Sequence, residues 1–316
     1  MNRLMVSISL VLGISLVVLG GSVFAYPPGY WEHYASRFSQ AGEARTSVYR
    51  PLSWNTVETR SLIGQPVNGR AGNYLGQISN LIIDQDNDRV ALVVLSDVPG
   101  FGADRVAIPY GCLERTDNHT FTVRFPIMAT ASVNNRKDPD LYLLHQYPTD
   151  SPLYSIPQPI DPNWVAEVYR TYGLAPYWAQ KGGWAPSAKD FYQSTQLIGT
   201  QVRSPQGRVE ARVTDVIIDS SSGHIVLLVL SDVKGMGDNR VAVPFGLVNR
   251  TSNGIFALNG TEDELASAPS FHAWDMNRRG YVAHVYRSFG VQPSWTGGGK
   301  AKALDPYRWG GEVQDF

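Results

Sequence analysis

The sequence predicts a mostly β protein, built from two tandem small barrels that are closed or nearly closed and that carry short, aromatic-rich helical appendages. Three observations predict this class. A nineteen-residue stretch from Val93 to Gly111 returns almost unchanged from Leu228 to Gly246, 135 positions later. Each copy alternates short apolar runs with turn residues, as strands do when no helix separates them. The chain is 43% hydrophobic and only 17% charged, which is typical of folded, core-forming material.

The repeat also defines the domain organisation. It continues without a gap over some sixty residues, but "VYRTYG" at 168–173 returns as "VYRSFG" only 117 positions later, so the first copy has 18 extra residues between Phe125 and Asp161. Four prolines crowd that stretch, and we interpret it as a surface arm without a helix interior. The expected segments are an N-terminal aromatic segment at 26–59, barrels at 60–126 and 191–260, a Pro-rich arm with a short helix at 127–190, and a short helix with a C-terminal tail at 261–316.

The first twenty-five residues resemble a bacterial export signal. An apolar run at 4–21 follows Arg3, and the small residues Val23 and Ala25 occupy the positions that signal peptidase inspects. We expect cleavage after Ala25 and an extracytoplasmic protein, periplasmic or secreted. The alternative is an uncleaved inner-membrane anchor formed by residues 4–21, since the run approaches the length of a membrane span. Under both interpretations the remainder of the chain lies outside the cytoplasm.

Each copy contains the same series of predicted strands. "YLGQISNLIID" leads through a polar turn to "RVALVVLSD", which is too apolar for a strand with one solvated face. Pro109 and Pro244 end the next strand and must lie at a strand end or a sheet edge, because proline donates no ladder hydrogen bond. Closing the sheet would remove the exposed edges of several short apolar strands.

The order "LIGxxV", "LGxIxxLIID", an apolar strand, "GFG" and "RVAIPY" resembles the PRC-barrel, the module of the photosynthetic reaction centre H subunit and of the ribosome maturation factor RimM. The resemblance covers about residues 60–125 and 195–258. It implies a six-stranded barrel, or a close variant of one, that docks onto larger partners and contributes no catalytic residues. In the second copy Glu210-Ala211 replaces Leu75-Gly76, so whether that copy shares the bend at Gly76 stays open.

The two glycine-containing loops are interpreted as structural. A strand follows each loop, whereas a phosphate-binding loop requires a helix whose amides meet the phosphate. We expect the glycines to adopt positive φ, and the Asp that precedes each loop to hydrogen-bond the loop amides. The residues assigned this structural role are Asp97, Gly100, Gly102, Asp232, Gly235 and Gly237.

The sequence offers no catalytic, metal or cofactor site. Asp84, Asp86 and Asp88 alternate as in a calcium loop, but the required Gly and the later Glu are missing, and we interpret the segment as a hairpin turn. The six histidines lack metal-ligand spacing, and no nucleophile motif appears. Cys112, the single cysteine, is interpreted as a buried apolar residue. A net charge of -1 without basic clusters in the barrels argues against nucleic acid as a partner.

All eight tryptophans fall outside the predicted barrels. One interpretation is that they cover the barrels and fasten the two units together. The other is an aromatic platform for a protein partner or a polysaccharide. The residues proposed for that platform are Trp164, Trp178, Trp274 and Trp295.

The function expected from these features is that of an exported, noncatalytic binding or scaffolding protein with a protein partner. Two alternatives stay open: a membrane-anchored assembly subunit of an electron-transfer complex, similar to the reaction centre H subunit, and a cell-envelope enzyme. Membrane contact is expected only if the N-terminal segment is not cleaved.

The first prediction concerns processing. We expect the mature protein to begin at Tyr26, because Val23 and Ala25 fit the cleavage pocket of signal peptidase. N-terminal sequencing of the protein recovered from the cell envelope measures this, and a mature chain that begins with Met1 would contradict it.

Overall fold

A computed structural model describes residues 15–19, 22–26, 56–102, 104–116, 120–125, 139–145, 156–179, 186–204, 210–233, 236–237, 239–251, 255–277 and 280–292, the first two segments as backbone only. The chain divides into two compact units, Met1–Arg50 and Pro51–Phe316. In the first unit, β1 (Ser15–Leu19) and β2 (Ser22–Tyr26) form an antiparallel pair. Within these described ranges, no helix is long and apolar enough to span a membrane.

Both repeats lie in the second unit. The elements of the first repeat are β3 (Thr56–Glu58), α1 (Thr59–Leu62), β4 (Pro66–Asn68), β5 (Tyr74–Asp84), β6 (Arg89–Ser96), β7 (Val106–Pro109), a 3₁₀ turn (Tyr110–Cys112), β8 (Leu113–Arg115), β9 (Phe121–Val123), α2 (Pro139–His145) and α3 (Pro162–Thr171). As the apolar composition of β6 indicated, all of its residues except Arg89 and Ser96 are buried.

The second repeat follows the same order. Its elements are a 3₁₀ turn (Ala188–Asp190), β10 (Phe191–Gln193), α4 (Ser194–Leu197), β11 (Gln201–Arg203), β12 (Glu210–Asp219), β13 (Ile225–Ser231), β14 (Val241–Pro244), a 3₁₀ turn (Phe245–Leu247), β15 (Val248–Arg250), β16 (Phe256–Leu258), α5 (Glu262–Ala266), a 3₁₀ turn (Ala273–Asn277) and α6 (Tyr281–Ser288). Pro109 and Pro244 end β7 and β14, which lie at the ends of their sheets.

Each sheet contains seven strands, and the seventh comes from the other repeat. The first sheet has the order β7-β6-β5-β4-β9-β8, and β10 pairs with β5. The second has the order β14-β13-β12-β11-β16-β15, and β3 pairs with β12. The resemblance implies six strands per barrel, whereas each sheet contains a seventh strand from the other repeat. Among the described residues, β7 does not pair with β8, nor β14 with β15, so hydrogen bonds do not close either sheet.

The two exchanged strands occupy equivalent positions. Thr56 lies opposite Asp219 and Glu58 opposite Ile217, while Phe191 lies opposite Asp84 and Gln193 opposite Ile82. Each residue in one pairing is 135 positions from its equivalent in the other. β3 precedes residue 60, where the sequence placed the start of the first barrel, and it belongs to the second sheet. A pseudo-twofold axis therefore relates the two repeats.

The predicted appendage helices are present, and each packs on its own sheet. α3 lies against β7 and α6 lies against β14. The Tyr169 hydroxyl donates to the Ala91 carbonyl at 3.0 Å, and the Tyr286 hydroxyl donates to the Val226 carbonyl at 2.9 Å. Because both tyrosines are buried, these bonds anchor the two helices on the sheets in the same way.

The interpretation of the Pro-rich arm as a segment without helix is wrong for part of its length. Residues Pro139–His145 form α2, and Asp140 is buried. Its carboxylate accepts the backbone N–H of Arg70 at 2.7 Å and pairs with the Arg70 guanidinium at 3.2 Å. Pro139 stands at the first helical position, where its missing N–H costs nothing, and the four crowded prolines all come later in the chain. The remainder of residues 126–155 lies outside the described ranges.

The bend at Gly76 occurs only in the first repeat. Gly76 has φ +143°, and the register of β4 on β5 shifts between Val67 and Asn68. A Cβ at Gly76 would lie 2.7 Å from the Ser96 carbonyl oxygen, closer than real Cβ contacts allow. At the equivalent place Ala211 pairs in regular register with Val202. The two sheets thus diverge at this step because only one of them has a glycine there.

We predict that Gly76→Ala lowers the free energy of unfolding by about 2 kcal/mol or more, because the added Cβ meets the Ser96 carbonyl and the backbone is strained at this φ. The matched control, Ala211→Gly, should cost only about 1 kcal/mol, through strand entropy and one lost methyl group. Urea unfolding of both variants measures the difference. Equal losses in the two variants would show that Gly76 has no special role.

Candidate functional site

The glycine loops adopt the backbone expected of them. Gly100 and Gly102 have φ +87° and +61°, and Gly237 has φ +59°; Gly235 lies outside the described residues. Asp97 and Asp232 also have positive φ, +55° and +54°.

The side chains of those two aspartates hydrogen-bond to residues of the neighbouring strand. The Asp97 carboxylate accepts a hydrogen bond from the Gln77 amide, and the Asp232 carboxylate accepts one from the Arg212 guanidinium at 3.2 Å. Gln77 and Arg212 are equivalent residues of the two repeats. The described contacts of these aspartates therefore brace a strand pair, whereas the sequence suggested bonds to the loop amides.

Burial divides the proposed tryptophan platform. Trp164 and Trp178 are 7% and 8% exposed, so they offer no surface to a partner. Trp178 packs edge-on to Tyr177 and lies 6.0 Å from the Phe191 ring of the exchanged strand β10. Trp274 is 66% exposed. Trp295 lies outside the described residues, so Trp274 is the described member that remains available.

The repeats meet at an interface made of the exchanged segments β3–α1 and β10–α4 and of the hairpin turns at residues 85–88 and 220–223. The Val90 N–H donates to the Gly223 carbonyl, and the Ile225 N–H donates to the Asp88 carbonyl, both at 2.8 Å. Arg89 and His224 form an antiparallel bridge between these two bonds. The backbones of β6 and β13 are thus hydrogen-bonded end to end across the pseudo-twofold axis.

Side chains add contacts at this interface that the two repeats do not share. The Tyr110 hydroxyl donates to the Ser220 carbonyl at 3.2 Å, whereas its equivalent, Phe245, has no hydroxyl. A Cβ at Gly223 would lie 2.6 Å from the Tyr110 ring, so this close approach requires glycine. The Gln85 amide donates to the Val248 carbonyl at 2.8 Å.

Asp84, the first residue of the calcium-like motif, is a buried part of the same interface. Its carboxylate accepts hydrogen bonds from the Asn87 amide at 2.9 Å, from the backbone N–H of Asp86 at 3.0 Å, and from the Tyr177 hydroxyl. The Arg89 guanidinium lies over the Tyr177 ring, 4.1 Å from its centre. These contacts form a braced turn. In the described part of the chain, no three His, Cys, Asp or Glu side chains converge as metal ligands would.

Burial, partly offset by the hydrogen bonds from Tyr177 and Asn87, raises the pKa of Asp84 to about 6. Burial also raises the pKa of Glu58, assisted by the neighbouring charge of Asp215, and it raises the pKa of Asp215 against hydrogen bonds from Val216 and Arg60. Burial therefore opposes the ionisation of these carboxyl groups, and at Asp215 the Arg60 guanidinium and the hydrogen bonds favour the carboxylate.

A surface cleft of about 490 Å³ lies in the second repeat, beside the 3₁₀ turn Ala273–Asn277 and the start of α6. Its lining consists of Pro269, Ser270, His272, Trp274, Asp275, Gly280, Tyr281 and His284. The His272 and Trp274 rings are stacked, with 4.5 Å between their centres and 11° between their planes. Asp275 accepts the backbone N–H of His272 at 3.0 Å and lies 3.2 Å from His272 Nδ1.

Comparison with known protein families identifies the repeated unit. The family model of the PRC-barrel domain matches residues 55–127 and 189–265, which include the exchanged strands β3 and β10. The chain contains two PRC-barrel domains. No curated protein matches the chain in sequence. The resemblance predicted from the motifs is confirmed, and the matched segments begin a few residues before the boundaries that the repeat suggested.

The exchanged strands are held differently on the two PRC-barrel domains. On the second domain, the guanidinium of Arg60 pairs at 2.5 Å with Asp215, whose side chain is fully buried. At the equivalent place on the first domain, the Asn80 amide donates to Thr195 Oγ1 at 3.1 Å and to Gln193 Oε1 at 2.6 Å. A charged pair thus holds the segment β3–α1 on the second domain, and neutral hydrogen bonds hold the segment β10–α4 on the first.

This difference specifies which strand pairs with which sheet. If β3 paired with its own sheet, Arg60 would face Asn80, and Asp215 would face Thr195. A buried carboxylate without a cation is strongly destabilising, so the crossed arrangement is favoured over the uncrossed one. Motif reasoning missed these four residues. Comparison of positions 60 with 195 and 80 with 215 could have found them, because each pair has a charged residue in one copy and a neutral residue in the other.

We predict that Arg60→Thr lowers the free energy of unfolding by about 2 kcal/mol or more, because Asp215 stays buried without its cation. Asp215→Asn in the Arg60→Thr background should recover most of this loss, since the double variant copies the Thr195–Asn80 pair. Chemical unfolding of the parent, both single variants and the double variant gives the coupling between the positions. Losses that simply add would contradict the pairing rule.

Another prediction concerns the pH dependence of stability. The folded pKa of Asp84 exceeds its unfolded value, so its stabilising contribution is complete below about pH 4 and is lost as the pH rises through about 6. Asp84→Asn does not titrate, and its stability relative to the parent should rise over this range by up to about 3 kcal/mol. Urea unfolding of both proteins from pH 4 to 7.5 measures this. A difference that stays constant with pH would contradict the assignment.

Proposed function

We propose that the chain is an exported, noncatalytic binding or scaffolding protein of the cell envelope, in which two PRC-barrel domains act as one body towards a protein partner. PRC-barrel domains suggest a binding or scaffold module. The observation that carries the proposal is the reciprocal strand exchange. It holds two similar but diverged surfaces at a fixed separation, and two linked contacts can bind far more tightly than either alone.

The buried polar groups support a structural role over a catalytic one. Asp84, Asn80 and Asp215 all hydrogen-bond to neighbouring protein groups in the inter-repeat interface. Burial keeps Cys112 protonated, with its pKa raised to about 12, and thus unreactive as a nucleophile. The hydrogen bonds of Asp84, Asn80 and Asp215 thus support a role in the assembly of the two domains.

Exposed apolar residues mark where a partner could contact each domain. Tyr74 on the first domain is 43% exposed, and Ile255 on the second is 57% exposed. Tyr74 begins β5 and Ile255 precedes β16, so a contact made there would report on the corresponding domain. Export itself rests on the N-terminal sequence, in which the apolar run at 4–21 is followed by Val23 and Ala25.

The proposal is tested by placing a photoreactive phenylalanine analogue at Tyr74 or at Ile255 in the full chain and irradiating intact cells. We expect to recover the protein in the envelope fraction. At least one of the two variants should be crosslinked to a protein, and if both are crosslinked, the captured protein should be the same. An excess of unmodified chain should suppress that crosslink, and non-irradiated cells provide the control. Recovery in the cytoplasm, or the absence of any protein crosslink from both positions, would overturn the proposal.

A further inference from the structure

The junction between β16 and α5 carries an Asn-Gly dipeptide at residues 259–260. We propose that Asn259 is a site of spontaneous deamidation, at which the side-chain amide becomes a carboxylate through a cyclic imide with the Gly260 nitrogen. Water is the co-reactant, so the reaction needs neither an enzyme nor a protein partner. The proposal is therefore independent of the function proposed above.

The reaction proceeds in two steps, without a change of oxidation state. In the first step the Gly260 nitrogen loses its proton to solvent base and bonds to Asn259 Cγ, and the Cγ–Nδ2 bond breaks with release of ammonia. In the second step water opens the imide ring. Opening at Cγ gives aspartate, and opening at the main-chain carbonyl of residue 259 gives isoaspartate, whose main chain runs through Cγ. The chain consumes one water, releases one ammonia and gains one carboxylate, which is ionised at neutral pH.

The backbone around Asn259 suits the ring closure. Asn259 is exposed and comes directly after β16. Its own N–H donates to the Leu247 carbonyl at 2.7 Å, and the Thr261 N–H donates to Glu264 Oε2 at 2.8 Å. The first of these anchors lies before the Asn259–Gly260 peptide bond and the second lies after it. Rotation about the Gly260 backbone can therefore accommodate the imide while both anchors stay in place.

Gly260 leaves room for the attack. A Cβ at this position would lie 3.9 Å from Glu264 Oε2 and 3.9 Å from Leu258 Cγ, which is ordinary contact. The φ of Gly260 lies outside the left-handed region, so the fold does not require glycine here. The missing Cβ matters instead for the reaction, because a side chain at residue 260 would hinder the approach of its nitrogen to Asn259 Cγ.

The Asn68–Gly69 dipeptide of the first repeat provides a matched contrast. Asn68 belongs to β4, which is hydrogen-bonded to β5 on one side and to β9 on the other. Gly69 is buried, and its N–H donates to the Asn73 carbonyl at 2.8 Å. A Cβ at Gly69 would lie only 2.6 Å from Asn73 Oδ1, so this turn is tightly packed. The nitrogen of Gly69 can attack only after the turn opens locally, which should slow the reaction.

The site is specific to the second repeat. At the 135-residue spacing, Asn259 corresponds to Arg124, and Gly260 corresponds to the buried Phe125. The Arg124 N–H donates to the Cys112 carbonyl at 2.7 Å, which is the same backbone bond that Asn259 makes with Leu247. The two repeats thus share the backbone arrangement, and the reactive dipeptide occurs in one of them.

The test follows the purified full chain during incubation at mildly alkaline pH in water enriched in oxygen-18. Samples are digested and sequenced by tandem mass spectrometry, which separates residue 259 from the neighbouring Asn253–Gly254 pair, which lies outside the described residues. We expect incorporation of the label at Asn259, with isoaspartate among the products. The rate at Asn259 should exceed the rate at Asn68 at least about tenfold, the effect of a local opening free energy of only about 1.4 kcal/mol.

Two controls separate the effect of the fold from that of the local sequence. In concentrated urea the Asn68 and Asn259 rates should become similar, because both turns are then open. Gly260→Ala should slow the reaction at Asn259 at least about tenfold, as hindrance of about 1.4 kcal/mol would do, and it should melt at the temperature of the parent, since its Cβ meets no close neighbour.

Three results would overturn the proposal: no label at Asn259 in the folded chain, equal rates at Asn259 and Asn68 in the folded chain, or a difference between the two sites that persists unchanged in urea. The comparison of these two sites uses the parent chain alone and does not depend on the folding of any variant. The crosslinking test at Tyr74 and Ile255 measures a different property, so the two proposals fail separately.

Discussion

The structure depends on the reciprocal exchange of two three-residue strands. β3 leaves the repeat to which it belongs in sequence and pairs with β12, while β10 pairs with β5. Both β5 and β12 are buried at the ends that receive the exchanged strand. Neither sheet can therefore complete its core from its own repeat. The unit Pro51–Phe316 is held together by backbone hydrogen bonds that cross between the domains, in addition to side-chain packing.

The exchange is accompanied by buried polar groups that would be costly without partners. Asp215 is fully buried and paired with Arg60, and Asn80 occupies the equivalent position with neutral partners. The Arg60 side chain is 53% exposed, so replacing both members with neutral groups should cost little, whereas removing Arg60 alone leaves a buried carboxylate and costs much. The charged pair therefore contributes less to the overall stability than to determining which exchanged strand pairs with which sheet. In a duplicated protein this choice matters, because the two sheets are similar enough to accept either strand.

The two repeats share their sheets but differ in sequence at particular positions. Gly76 bends β5 in the first repeat, and Ala211 keeps β12 in regular register. Tyr110 packs on Gly223 across the interface, while Phe245 cannot make the same hydrogen bond. The exposed Trp274 and the cleft around it lie in the second repeat. A symmetric frame with asymmetric surfaces supports the proposal that the two domains present diverged surfaces to a partner.

The sequence by itself determined the features that local chemistry specifies. The 135-residue repeat, the runs that become β5, β6, β12 and β13, the positive-φ glycines and the helices ended by glycine could all be read from patterning and turn residues. So could the family, because its motifs consist of these same turn and strand residues.

Only the tertiary structure decided where β3 and β10 pair, which of the described tryptophans are buried, and that residues 269–275 and 280–284 contribute to one cleft. "TVE" and "FYQ" are too short for a periodic signal. Strand pairing between distant segments depends on which edge is free in space, and two nearly identical sheets offer the same pattern to either strand. Tryptophan content likewise shows nothing about exposure, which depends on what packs against each ring. Trp178 packs near the exchanged strand, whereas Trp274 stacks on His272 and remains 66% exposed.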